Sequence, residues 1–231
     1  MATASLSAMK RLGIYMQMLF NYQPRRFWNE LLSDSFDLRG VGHYRLSEAE
    51  NRAMYDEKRA VIERELAANG IAIGPDSTVL EIGVGVGYWT EFLKSLGVRR
   101  YTGNDIAQVS VERLGARYPE FTFVHGDAGD VALPAGTFDV AFMIDVTQHI
   151  TDDGAFGRAM RNVWAAIKPG GAFLVTFWDP GTNKFLSTKL RLNRIEKPRG
   201  AEAYLAAFGP GATIASRTPF NDKHLLVVKK R

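Results

Sequence analysis

Three glycines stand at alternate positions, Gly83, Gly85 and Gly87, just after the acidic Glu81 in VLEIGVGVGYW. The residues before them read as a buried strand and those after as a helix. Glycines in such a turn let the backbone take positive φ and let a ligand lie against the main chain. One such ligand is a dinucleotide, but its fingerprint is G-x-G-x-x-G. That pattern fails here, because position 88 is Tyr88. Further along, chemistry-bearing types recur: Asp105 in YTGND, Asp127 in HGDAGD, Asp145 and His149 in FMIDVTQHI, and Asp179 in TFWDPGTN. A carboxylate can hold hydroxyls, amino groups or a hard cation. A histidine has the unperturbed pKa for proton transfer near neutrality. A single Asp in such a place can simply cap the next helix. Several at successive strand ends point to a ligand.

These positions need an element pattern that brings them together. Short β-rich runs alternate with helical ones: STVLEIG then GYWTEFLKSLG, RRYTGND then SVERLGARY, FTFVHGD, TFDVAFMIDV then GAFGRAMRNVWAAI, and KPGGAFLVTFW. Five strands with helical spacers predict an α/β fold with a doubly wound parallel sheet. Ligands of such sheets bind beyond the carboxyl ends of the strands. Residues 213–220 and 224–230, separated by Asn221 and Asp222, read as a closing hairpin. The whole is then a mostly parallel, seven-stranded sheet. Residues 1–70 read as helical. Ser47 and Glu50 form a capping box in LSEAE, and Gly70 ends the helix that follows. Pro24 and the Gly40–Gly42 pair split what precedes it. The expected organisation is an N-terminal helical cap or lid over 1–70 and a domain over 71–231, with a basic insert at about 183–200.

Composition sets outer limits. The 231 residues are 46% hydrophobic and 23% charged, a globular composition. The net charge of +4 favours anionic ligands without establishing nucleic-acid binding. No cysteine is present, which excludes disulfides, thiolate zinc sites and a cysteine nucleophile. No apolar run is long enough to span a membrane. Lys10 and Arg11 precede LGIYMQMLF, but the apolar part is short, contains Gln17 and lacks a cleavage site. A cytoplasmic location is expected. The aromatic segment IYMQMLFNYQPRRFW suits a lid or a homodimer face.

EIGVGVG, Asp105, HGDAGD and IKPGG together resemble the class I S-adenosylmethionine-dependent methyltransferases, over about residues 78–178. The family's first motif is acid-x-G-x-G-x-G. The resemblance implies a doubly wound methyltransferase fold and S-adenosylmethionine as methyl donor. It places Asp105 on the ribose hydroxyls with Ile106 beside it, and Asp127 and the Ala128 N–H on adenine. Gly83, Gly85, Gly87 and Glu81 would meet the methionine part, with the ammonium near Glu81 and Gly83. Asp145 would line the donor site.

For the transfer itself, His149 is the candidate general base, with Asp145 beside it; the alternative is a His that only lines the pocket. Asp145 and Asp179 at adjacent strand ends could share Mg²⁺, as in metal-dependent sugar and catechol O-methyltransferases. Those enzymes place another acid or amide beside the second Asp, whereas Trp178 and Pro180 stand here. The alternative for Asp179 is a turn with Pro180 and Gly181. Two segments suit a cover: 39–55, with His43, Tyr44, Arg45, Arg52 and Tyr55, and 183–200, with Lys184, Lys189, Arg191, Arg194, Lys197 and Arg199. DVTQHI and the closing TPFNDKHLLVVKK are similar to small bacterial methyltransferases acting on sugars or polysaccharide ends. The expected acceptor is a small hydroxylated molecule, saccharide or anionic. N-methylation of a small amine stays open, as does a non-catalytic cofactor-binding subunit. The N/D-P-P-Y/F tetrapeptide of nucleic-acid amino methyltransferases is absent, which speaks against RNA.

Overall fold

The computed structural model describes residues 22–43, 45–179 and 195–231. Helix α1 spans Pro24–Asp34, the short α2 Leu38–Val41 and α3 Glu48–Ala68. Pro24 sits at the start of α1, where a missing N–H costs nothing. The Ser47–Glu50 capping box starts α3. Gly70, at φ 63°, follows its end, and Ile71 N–H reaches back to Leu66 O.

The remaining chain alternates β1 Thr78–Ile82, α4 Tyr88–Ser95, β2 Arg100–Asp105, α5 Gln108–Arg117, β3 Thr122–His125 and β4 Phe138–Met143. A 3₁₀ turn at Thr147–His149 leads to α6 Asp153–Ala166 and β5 Ile167–Phe177. Helix α7 Ala201–Phe208 precedes β6 Ala212–Phe220 and β7 Lys223–Lys230. The expected hairpin is β6–β7, turning at Asn221 with φ 54°. The sheet has seven strands in the order β3-β2-β1-β4-β5-β7-β6. The first five are parallel, β7 runs antiparallel to β5, and β6 antiparallel to β7. The strand order reverses between β1 and β4, so their carboxyl ends flank a crevice.

Successive side chains of a strand point to opposite faces. Val79, Val140, Phe142, Leu225 and Val227 pack with α3, α4 and α5 on one side. Leu80, Ala141, Met143, Leu226 and Val228 pack with α6 and α7 on the other. Helix α3 contributes Ile62 and Leu66 to the first layer, so it is fixed to the sheet as well as lying before it in sequence. No helix among the described residues is long and apolar enough to cross a membrane. Ile62 is fully buried there. Ile62→Ala is expected to lower the unfolding free energy by about 2–5 kcal/mol, read from the shift in urea midpoint at unchanged slope.

Candidate active site

The crevice holds a cavity of about 300 Å³. Its floor is the turn after β1. Gly83, Gly85 and Gly87 have φ of 77°, 53° and 87°. A Cβ on Gly83 would stand 2.3 Å from Val146 Cγ2, so the turn closes only with glycine there. Gly83 and Gly85 line the cavity with Asp105, Ile106, Asp127, Ala128 and Asp145.

Asp105 is held by the turn it faces. Its carboxylate accepts the N–H groups of Gly85 and Ala107, each at 2.8 Å. Burial raises its pKa against those two bonds. A carboxylate has lone pairs for about four donors. The lone pairs that remain on Asp105 are placed for donors entering the cavity, such as hydroxyls. Asp127 accepts Gly129 N–H at 2.8 Å, and Asn162 Nδ2 donates to Ala128 O, which sets the following loop. These residues fit an adenosine with a cationic methionine tail. Such a donor, when bound, supplies an electrophilic methyl carbon on sulfur.

Glu81 does something else first. The alternation of β1 turns it away from Leu80 and Ile82, into the α4 side. There it is buried and accepts Tyr101 Oη–H at 2.5 Å and Thr90 Oγ1–H at 2.9 Å. Burial pushes its carboxyl up to about 8, against the two hydroxyl bonds. It is absent from the cavity wall, so the expected direct contact with a ligand ammonium is replaced by a role beneath the turn.

Asp145 follows β4 with φ 59°, a strained value for a residue with a Cβ. Its N–H donates to Thr176 Oγ1 at 2.7 Å. Its carboxylate lies between Lys58 Nζ at 2.6 Å and Lys223 Nζ at 3.0 Å. Burial opposes ionisation, but the ammonium groups of Lys223 and Lys58 outweigh it and hold the carboxyl far below its usual range. Asp179 lies two residues beyond β5 and pairs with Arg217. The expected Mg²⁺ therefore does not fit these two carboxylates: each already faces side-chain cations, and three ammonium or guanidinium groups would meet the metal. Among the described residues no group of three His, Asp or Glu could hold a metal ion.

His149 lines the same cavity. Its Nδ1 lies 3.0 Å from Ile195 O, so Nδ1 carries the proton and donates it. Nε2 is then the lone pair, with Gln148 Nε2 at 3.3 Å as a donor. Burial, above all, lowers the imidazole pKa to about 4, so the ring is neutral. Trp28 meets it edge-on, ring centroids 4.8 Å apart.

Of the expected covering residues, Tyr55 lines the cavity; Tyr44, Lys184, Lys189, Arg191 and Arg194 lie outside the described residues. Lys197 and Arg199 both pair with Asp153, and the Arg199 guanidinium is buried over Phe156. Lys58 and Lys223 escaped the sequence reading, whereas Tyr22 and Trp28 lie in the aromatic segment expected as a lid or homodimer face. Of the first two, only Lys58 left a signal. It falls on the buried stripe Asn51, Tyr55, Lys58, Ile62, Leu66, at helical spacing among apolar residues.

Asp145→Asn is expected to destabilise the fold by about 3–5 kcal/mol at neutral pH, because two buried ammonium groups lose their counter-charge. A depressed folded pKa stabilises above the unfolded value, about 3.9, and that contribution is lost as pH falls toward the folded value. The gap between wild type and variant in urea melts should hold down to about pH 4 and close below it.

Comparison with known proteins agrees with this geometry. Residues 79–171 match a family model described as a methyltransferase domain. A Mycolicibacterium smegmatis protein named as a probable S-adenosylmethionine-dependent methyltransferase is 33% identical over 98 residues, 42% of this chain and 37% of that protein. The 2-methyl-6-phytyl-1,4-hydroquinone methyltransferase of Synechocystis is 29% identical over 127 residues, 54% of this chain and 38% of that protein. The chain thus spans well under half the length of these curated relatives. The crystal structure of Synechocystis magnesium protoporphyrin IX methyltransferase with bound S-adenosylhomocysteine superposes with a TM-score of 0.67 at 17% identity, covering 90% of this chain and 98% of that one. Residues 79–171 are thus similar to methyltransferase domains, and the seven-stranded fold is shared with solved S-adenosylmethionine-dependent methyltransferases.

Proposed function

We propose that the protein transfers a methyl group from S-adenosylmethionine to a hydroxyl of a small-molecule acceptor. The observation that carries this reading is Asp105: a buried carboxylate beyond β2, pinned by the Gly85 and Ala107 N–H groups, with lone pairs left toward the cavity. Gly83 and Gly85 give the methionine part a bare main chain to lie on, and Asp127 and Ala128 bound the adenine end. Helices α1 to α3, within 1–70, serve as the cap, since Trp28, Leu32, Val41 and Tyr55 of that region all reach the cavity.

At the acceptor end, the acceptor's hydroxyl displaces the 3.3 Å contact of the Gln148 amide at His149 Nε2, donates its hydrogen bond there and gives up its proton. The Ile195 carbonyl holds the tautomer that makes this possible. The carboxylate of Asp145 stays anionic beside it, its charge set by Lys58 and Lys223. Donor alignment supplies most of the rate, because a sulfonium already carries a good leaving group. The saccharide expected from the sequence finds little support in the wall, whose described residues are mainly apolar or aromatic. N-methylation is the second reading. A neutral amine needs no base, which suits an imidazole held near 4.

Asp105→Ala should weaken S-adenosylhomocysteine binding by roughly 10²-fold in calorimetry, from lost hydrogen bonds to a charged acceptor. Unchanged affinity would remove the donor-site assignment. With a hydroxyl acceptor, His149→Ala should lower kcat by roughly 10²–10⁴-fold. In the wild type, kcat/KM should fall as pH drops through about 4, where the imidazole charges, and stay level near neutrality. A small loss of rate in the variant would favour the amine reading.

A further inference from the structure

The acceptor half of the cavity has an unusual polar inventory. Trp28 Nε1–H donates to Tyr22 Oη at 3.1 Å, and Tyr22 Oη–H donates to His149 O at 3.3 Å. Both aromatic side chains therefore turn their polar atoms toward each other and the backbone. They leave ring surface toward the cavity that both line. The Gln148 amide donates to Asp145 O at 2.9 Å and also reaches His149 Nε2. The Asp145 carboxylate is held by two lysines. Ile150 and Val146 complete the wall. Among the described residues at this end, His149 Nε2 is the ring nitrogen not tied to the Ile195 carbonyl, and the Thr151 hydroxyl and the exposed Asp152 carboxylate are further polar groups of the wall.

A saccharide presents many hydroxyls, and each one buried without a partner costs binding energy. An acceptor with one hydroxyl and an otherwise apolar body leaves far less unpaired against the rings of Tyr22 and Trp28. A flat body gains further, because aromatic faces pair favourably with the rings of Trp28 and His149, already set edge to face at 76°. We propose that this half of the cavity takes a flat, uncharged aromatic ring bearing a hydroxyl, seated on Trp28 with the hydroxyl at His149 Nε2. The inference rests on the methyltransferase reading and gives that site its acceptor class. Chemistry agrees with it. A phenolic hydroxyl, with a pKa near 10, is far easier to deprotonate than an aliphatic one, so a weak base suffices.

The test is calorimetric titration of the full chain saturated with S-adenosylhomocysteine, using three probes. They are 2-naphthol, the saturated 2-decalol of similar size, and methyl α-D-glucopyranoside. The expected result is saturable binding of 2-naphthol, roughly tenfold weaker binding of 2-decalol, and none of the glucoside. Trp28→Ala and Trp28→Leu should each weaken 2-naphthol roughly tenfold, with S-adenosylhomocysteine affinity kept within about threefold. Retained S-adenosylhomocysteine binding shows that a variant is folded, and the leucine keeps apolar bulk if the alanine variant collapses. Binding of the glucoside but not of 2-naphthol overturns the inference. So does equal binding of the two bicyclic alcohols, or 2-naphthol affinity indifferent to Trp28. Failure of the wild type to bind S-adenosylhomocysteine removes the methyltransferase reading itself, and the inference with it.

Discussion

Asp145 is one carboxylate on which three distant parts of the chain converge. Lys58 comes from α3, Asp145 from the end of β4, and Lys223 from the first residue of β7. None of the three would stay charged inside the protein alone. Together they bind the helical N-terminal region to the β4–β7 side of the sheet, beside the point where the strand order reverses. The residue between them also carries positive φ, and the surroundings hold it there through Thr176 and the two lysines. The cavity wall next to it inherits that fixed backbone.

The two ends of the cavity are built by different means. The end proposed for the donor is made mainly of backbone: the glycine turn, the N–H groups that hold Asp105, and the loop after β3. The end proposed for the acceptor is made of side chains, among them Tyr22, Trp28 of α1 and His149 of the 3₁₀ turn. Backbone geometry suits a ligand that never changes. Side chains suit one that differs among proteins of the same fold, which is how a shared scaffold carries many chemistries.

Much of this was readable before any coordinates. The glycine turn, the strand alternation, the capping box and the closing hairpin are local features, and local spacing predicts them. Asp105 and Asp127 come to one cavity because strand ends in a parallel sheet share one edge. The misreadings came from direction and from pairing. The motif spacing points Glu81 toward the ligand, whereas period-two alternation sets it opposite Leu80 and Ile82, toward Thr90 and Tyr101. Asp145 and Asp179 read as a pair because they follow adjacent strands. Their cations arrive from residues 58, 223 and 217, and no local pattern announces contacts across such separations. Trp28 and Tyr22 belong to a segment whose aromatic character was plain and whose destination was not.

The carbonyl that sets the tautomer of His149 belongs to Ile195, 46 residues further along the chain. Lys197 and Arg199, just beyond it, anchor that stretch to Asp153, and Lys197 N–H bonds Gln148 O. The imidazole's proton inventory is thus dictated from outside its own turn. Descendants of this sequence could drift between acceptors by altering residues near 195–199, while the donor end, and the histidine itself, stayed as they are.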